Sequence, residues 1–277
     1  MQLFVDNLTN VDFSYLCPQR GLVGETWLVQ VSLSGEPDDE GMILDFGVVK
    51  RQVRDWLSEH LDHKLLIPVR APQLRSFQAQ EGVGYALEGA FGTVECRAPA
   101  VAFAGVDAAA IDPAAAAEWA RAALQEALPA GAVLRLEFIT EAIDGPFYHY
   151  SHGLKKHRGQ CQRIAHGHRS KLEIWRDGKL WMDAMQSWAH RLQDSYFGTE
   201  QDICERSERH IAFSYRAQEG QFYLRLPSTS CEILPCDTTV ENIASHIHRK
   251  LSSGADGTGR EIVVKAYEGL NKGAIVG

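Results

Sequence analysis

Alternating apolar and polar positions organise this chain. In ETWLVQVSLSG, residues 25–35, Trp27, Val29, Val31 and Leu33 fall on one side, the pattern of a strand with one buried face. The alternation recurs in HGHRSKLEIW, residues 166–175, where His166, His168, Ser170, Leu172 and Ile174 share a face. Each run leads through a turn, EPDDEG in the first half and RDGK in the second, to a further strand and an amphipathic helix. Those segments are MILDFGVVKRQVRDWLSEHL and LWMDAMQSWAHRL, with Asp45 and Asp183 in matching places. Val49, Val53, Trp56, Leu57 and Leu61 recur near a helical period and predict a helix over 47–61.

A second helix is expected in each half. IDPAAAAEWARAALQEAL has Asp112 as N-cap and Pro113 at its first position, and DTTVENIASHIHRKL is its partner. The strands AVLRLEF and EIVVKAYE close the halves, with further strands around 91–105 and 211–226. One plan is therefore written twice. It predicts an α+β protein of two tandem units, residues 1–142 and 143–277, joined tightly through AIDGP.

Composition narrows the class. At 277 residues, 45% hydrophobic and 23% charged, the chain can bury a real core and is not disordered. A formal charge of −8 argues against nucleic acid or an anionic membrane as partner. No apolar run approaches the roughly 18 residues of a membrane span, and MQLFVDNLTN lacks the features of a signal peptide, so a cytoplasmic location is expected. The cysteines at 17, 96, 161, 204, 231 and 236 are too dispersed for a disulfide framework and are expected as thiols.

Four groups of residues could carry chemistry. In FYHYSH, His152 shares a strand face with Tyr148 and Tyr150, while His149 points the other way. With His166 and His168 it makes either a site for Zn2+ with an open fourth position, or a set of ordinary polar histidines. Cys161, just before that pair, is either a buried structural thiol or a thiolate base favoured by a nearby cation. Asp62 and His63 end the amphipathic helix, as a solvated terminus or as a carboxylate that orients an imidazole for proton transfer. The loop KKHRGQCQR is the most basic stretch and either is solvated or receives a polyphosphate.

As a set, these residues resemble the 6-pyruvoyltetrahydropterin synthase and 6-carboxytetrahydropterin synthase family, whose members adopt the tunnelling fold. In the second half YHYSH is similar to the family's F-S-x-x-H, CQRIAHGH to its C-x(n)-H-G-H, TTVENIA to P-T-x-E-N, and AYEG to the terminal strand with its substrate glutamate. In the first half EGMILDFGVVK resembles G-M-V-x-D-F-x-x-L-K, and HLDHKLL resembles L-D-H-x-x-L-N. The resemblance implies zinc on His152, His166 and His168, Cys161 as the proton-abstracting thiol, and Asp62 with His63 as its relay. It implies Glu268 as the pterin anchor with Thr239 nearby, and gives Lys155, Lys156 and Arg158 a partner in the triphosphate of 7,8-dihydroneopterin triphosphate. The expected enzyme is a carbon-oxygen and carbon-carbon lyase. Its expected product is 6-carboxytetrahydropterin, made with loss of triphosphate and acetaldehyde on the 7-deazaguanine (queuosine) route. A 6-pyruvoyltetrahydropterin synthase and a non-catalytic zinc-containing pterin-binding protein are the alternatives.

The halves depart from the family in complementary ways. An ungapped strand match sets Cys17, Glu25 and Trp27 at the first unit's zinc positions, and Trp27 cannot ligate. The second unit has SYFGTEQDICERSERH where the L-D-H segment belongs. One composite site is therefore expected, with metal and thiol from the second unit and the relay from the first, in a homo-oligomer of two-unit chains. Glu137 and Glu141 both remain candidates for the first unit's match to Glu268.

Overall fold

The computed structural model describes residues 1–129 and 131–277. In the first half β1 (Gln2–Cys17) and β2 (Gly21–Ser34) form a long hairpin, followed by α1 (Phe46–His60), β3 (Leu65–Pro68), β4 (Leu74–Gln78), β5 (Val83–Gly89), β6 (Gly92–Ala98), β7 (Phe103–Val106), α2 (Pro113–Gln125) and β8 (Val133–Thr140). The second half runs through β9 (Phe147–His152), β10 (His166–Arg176), β11 (Lys179–Leu180), α3 (Met182–Leu192), β12 (Ser195–Thr199), β13 (Ile203–Arg206), β14 (His210–Ala217), β15 (Gly220–Pro227) and β16 (Cys231–Leu234). It ends with α4 (Val240–Ser252), β17 (Ile262–Tyr267) and β18 (Gly273–Val276).

Strand order repeats between the halves. The first sheet runs β7-β3-β1-β2-β8 and the second β16-β12-β9-β10-β17, extended by β18 at its edge. The antiparallel triplets β4-β5-β6 and β13-β14-β15 then join through β6 and β15 into one six-stranded sheet. Helices cover one face of each main sheet, where Val49, Val53, Leu57 and Ala120 meet Phe13, Trp27 and Phe138 in one core, and Met185, Leu192, Ile243 and Ile247 meet Tyr148, Leu172 and Val264 in another. A third core lies under the shared sheet and mixes Leu16, Leu65 and Phe103 with Ile164, Tyr196 and Phe213.

Helix ends follow local chemistry. Asp45 caps α1 by accepting from the amides of Gly47 and Val48, and Asp112 caps α2 through Ala115 ahead of Pro113. The strand expected at Met42–Leu44 does not form. Residues 35–45 run as loop and turn, because the Asp45 carboxylate satisfies the first amides of α1 and commits the chain to helix there. The second half keeps only the two-residue β11, and Asp183 lies inside α3 instead of at its cap, so the two aspartates are not equivalent.

The two main sheets cross back to back at small residues. Ser14 pairs with Gly24 and Ser151 with Gly167, and the two pairs touch, with the serine hydroxyl oxygens 2.7 Å apart. A Cβ on Gly24 would lie 1.8 Å from the carbonyl oxygen of Tyr150, and one on Gly167 would lie 2.6 Å from Gly24 Cα. Glycine alone allows this approach, and the approach brings the end of α1 against the start of β10. No helix among the described residues is long and apolar enough to cross a membrane, and all six cysteines are unpaired thiols.

Candidate active site

Three histidines meet where β9 ends and β10 begins. His152 pairs across the ladder with His166, and His168 follows two residues later on the same face. All three are at most 1% exposed. Two of the Nδ1 atoms are hydrogen-bonded: His152 Nδ1 donates to the Thr238 carbonyl at 2.8 Å and His166 Nδ1 to the Arg163 carbonyl at 3.0 Å. His168 Nδ1 stands 3.2 Å from Asp12 Oδ1, a contact short of straight hydrogen-bond geometry, and has no other partner.

These contacts leave the Nε2 lone pairs turned toward one another. His152 Nε2 and His168 Nε2 are 3.3 Å apart, two acceptors that repel unless a cation lies between them. Nitrogens roughly 2.0–2.1 Å from a tetrahedral zinc stand about 3.3 Å apart, so the donor set fits the metal. Protonation does not compete for His152 and His166 at neutral pH. Burial, with the charge of neighbouring histidines, lowers His152 to about 3 and pushes His166 well below the ordinary imidazole value.

The other half of the site comes from the first unit. After α1 the chain turns back with His63 in the left-handed region at φ 55°. His63 Nδ1 lies 2.8 Å from Asp62 Oδ2, while Asp62 Oδ1 accepts from the Asp12 amide at 2.8 Å and the His63 amide donates to the Asp12 carbonyl at 2.7 Å. Across the unit boundary, His63, Cys161 and His166 bring their nitrogen and sulfur atoms within 4.8 Å of one another. Burial opposes protonation of His63, but hydrogen bonds to Asp62 and Cys161 outweigh it and raise the imidazole to about 10. The Cys161 loop is braced from both sides: Gln160 Nε2 donates to the Ser58 carbonyl of α1 at 3.0 Å, and Tyr215 donates to the Gln162 carbonyl at 2.8 Å.

Glu268 joins the same site, with Oε1 3.8 Å from His168 Nε2. The turn that carries it needs Gly269, which has φ +67° and whose Cβ would lie 2.6 Å from Asp12 Oδ1. Three of the remaining expected binders are engaged elsewhere. Thr239 caps α4 by accepting from the Asn242 amide, whereas its neighbour Thr238 holds His152. Lys155 pairs with Asp202, Lys156 with Asp237 at 2.7 Å, and Arg158 is exposed. Sequence reading missed Thr238, Asp12 and Lys272, whose Nζ donates to Asp12 Oδ2 at 3.2 Å. Thr238 sits inside the TTVENIA segment and could have been found there; for Asp12 and Lys272 no spacing gives a signal.

Strand pairing corrects the first unit's match. Because Ser14–Gly24 corresponds to Ser151–Gly167, the counterparts of His152, His166 and His168 are Tyr15, Val23 and Glu25, two residues from the ungapped alignment at Cys17 and Trp27. Val29 pairs with Phe138 as Leu172 pairs with Ala266, which sets Thr140 opposite Glu268 in place of Glu137 or Glu141. Gln193 and Asp194 match Asp62 and His63: Asp194 is also left-handed, and its amide donates to the His149 carbonyl as that of His63 does to Asp12. Arg20 fills this second location, with Nε 2.8 Å from Asp194 Oδ2 and Nη2 3.1 Å from His149 Nδ1. A guanidinium stands where the other site has room for a metal.

Fold and site together define a duplicated α+β protein with, among the described residues, one buried three-histidine cluster completed across its two units. The sequence matches the family model described as 6-pyruvoyl tetrahydropterin synthase twice, over residues 15–137 and 146–277, and the chain belongs to that family. Its architecture is the tunnelling fold in tandem. Among solved structures it is similar to 6-pyruvoyl tetrahydropterin synthase from Plasmodium vivax, with 16% identity over 49% of this chain and 96% of that one, at a TM-score of 0.40. It is also similar to the enzyme from Plasmodium falciparum, with 14% identity over 50% of this chain and 98% of that one, at 0.40. No curated protein matches the chain.

Proposed function

We propose that the chain is a zinc-dependent pterin lyase acting on 7,8-dihydroneopterin triphosphate, with one composite site formed by residues 143–277 and completed by residues 1–142. The observation that carries this reading is the meeting of Cys161 with His63 of the other unit beside three buried imidazoles. Zinc would supply Lewis acidity to the side-chain oxygens of the substrate. His152, His166 and His168 would hold it through Nε2. Cys161 would take a proton from the substrate side chain, since a charged imidazole in hydrogen-bonding reach is the setting in which a cysteine serves as a thiolate base. His63, oriented by Asp62, would return protons to the reacting carbons. Glu268 would accept hydrogen bonds from the pterin amino and ring N–H groups. Arg158, with Lys155 and Lys156 exchanging their carboxylate partners, would meet the triphosphate.

We favour 6-carboxytetrahydropterin as product, with acetaldehyde and triphosphate released, on the 7-deazaguanine (queuosine) route in the cytoplasm. Incubating the pure protein with 7,8-dihydroneopterin triphosphate and weighing the products by mass spectrometry tests this. 6-Pyruvoyltetrahydropterin would reassign the pathway, and unchanged substrate with a zinc-loaded protein would remove the catalytic reading. The nearness of Glu268 to His168 supports one other reading, in which the carboxylate closes the metal as a fourth ligand and the protein binds pterin without turnover. A cobalt-substituted sample whose visible spectrum responds to added azide argues for an open position. A homo-oligomer is proposed as well, because β8 and β18 end their sheets with unpaired edges. A monomer at micromolar concentration in light scattering contradicts it.

A further inference from the structure

Asp12 is the residue that touches both halves of the site. Its carboxylate reaches His168 Nδ1 at 3.2 Å, receives Thr26 Oγ1 at 2.6 Å and Lys272 Nζ at 3.2 Å, and is 3% exposed. Its backbone meanwhile holds the relay, donating to Asp62 Oδ1 and accepting from the His63 amide. The side chain faces the metal ligands while the main chain faces the proton relay.

We infer that Asp12, from the unit without metal ligands, is a positioning residue that selects the His168 tautomer and raises the affinity of the histidine cluster for zinc. A carboxylate beside Nδ1 keeps the proton on that nitrogen, leaves Nε2 as a lone-pair donor, and makes it more basic. The negative charge also lies near a dication that three neutral imidazoles do not compensate. The other two ligands have uncharged partners at Nδ1, the Thr238 carbonyl and hydroxyl for His152 and the Arg163 carbonyl for His166.

The molecule holds its own control. The residue equivalent to Asp12 in the second unit is His149, which lies beside Arg20, Gln193 and Glu25. Where Tyr15, Val23 and Glu25 replace the three histidines, the carboxylate has been replaced too. A purely structural role at the crossing of the sheets would not change with the metal ligands.

The inference rests on the zinc-dependent reading, and the test separates the two. Asp12→Asn keeps the size of the side chain and both backbone contacts to the relay. Zinc affinity, measured by competition with a chromophoric chelator, should fall roughly 10- to 100-fold. Alkylation of Cys161 by iodoacetamide in the metal-free protein should stay within about twofold of wild type, because the backbone that holds His63 is unchanged. Zinc affinity equal to wild type overturns the inference while leaving the proposed function standing. Wild-type protein that binds no zinc overturns both. Should Asp12→Asn fail to fold, Thr26→Val loosens the carboxylate without removing it or changing any charge. It should weaken zinc by more than about twofold, and no change overturns the inference.

Discussion

Gly24→Ala tests the link between the crossing of the units and the chemistry. The new Cβ would lie 1.8 Å from the Tyr150 carbonyl oxygen and 2.8 Å from the His168 amide. Real Cβ atoms essentially never come within 3.0 Å, so the strands must part by about 1.2 Å, and overpacking of this kind costs typically 1–3 kcal/mol. The displaced strands carry all three histidines, His152 on β9 and His166 with His168 on β10. Metal sites tolerate about 0.2 Å in ligand distance, so a shift several times larger should empty the cluster although Gly24 lies on β2, far from the three histidines in sequence. Zinc per chain by plasma emission spectroscopy and the urea midpoint should both fall. Gly254→Ala, whose Cβ meets its nearest neighbour at an ordinary 3.4 Å, is the control. A Gly24→Ala protein with wild-type zinc affinity and midpoint would refute the crossing as the determinant of site geometry.

Three further outcomes follow from the same contacts. His63→Asn, chosen because asparagine accepts the left-handed backbone at φ 55°, should lower turnover roughly 100- to 10,000-fold with zinc content unchanged; a wild-type rate would remove the relay from the mechanism. Cys161→Ala should lower turnover by at least about 100-fold and also keep its zinc, whereas an emptied site would make the thiolate a ligand. In metal-free protein, His152 and His166 stay neutral on folding while unfolded histidines take up protons below about 6.5, so these two residues withdraw stability as the pH falls from 7.5 to 5. His63, raised to about 10, gives stability that is fully present below 6.5, and its remaining gain over this interval is smaller than the combined loss from the other two. A urea midpoint at pH 5 equal to or above that at pH 7.5 would contradict this balance.

The local features of the fold could be read in the sequence because they depend on neighbours along the chain. The stripe through Val53 and Leu57 defines α1, and Asp112 with Pro113 starts α2 where expected. The strand face shared by His166 and His168 follows from alternation alone, and His152 meets His166 because one hairpin pairs them. The same local reading failed at Met42–Leu44, where an apolar run suggested a strand and the cap at Asp45 decided otherwise. It also misplaced the first unit's counterparts by two residues, since an ungapped match has no knowledge of where Ser14 and Ser151 touch.

The sequence by itself determined the duplication and which histidines share a strand face, since each of these is a matter of which side chains stand at a local period. Only the tertiary structure decided that His63 meets Cys161 in the same chain, that Asp12 backs His168, and that Arg20 occupies the matching location in the other half. These contacts join residues 98, 156 and 174 positions apart. They depend on two sheets approaching closely enough for Gly24 and Gly167 to touch, a condition set by the packing of both units at once and carried by no single segment of either.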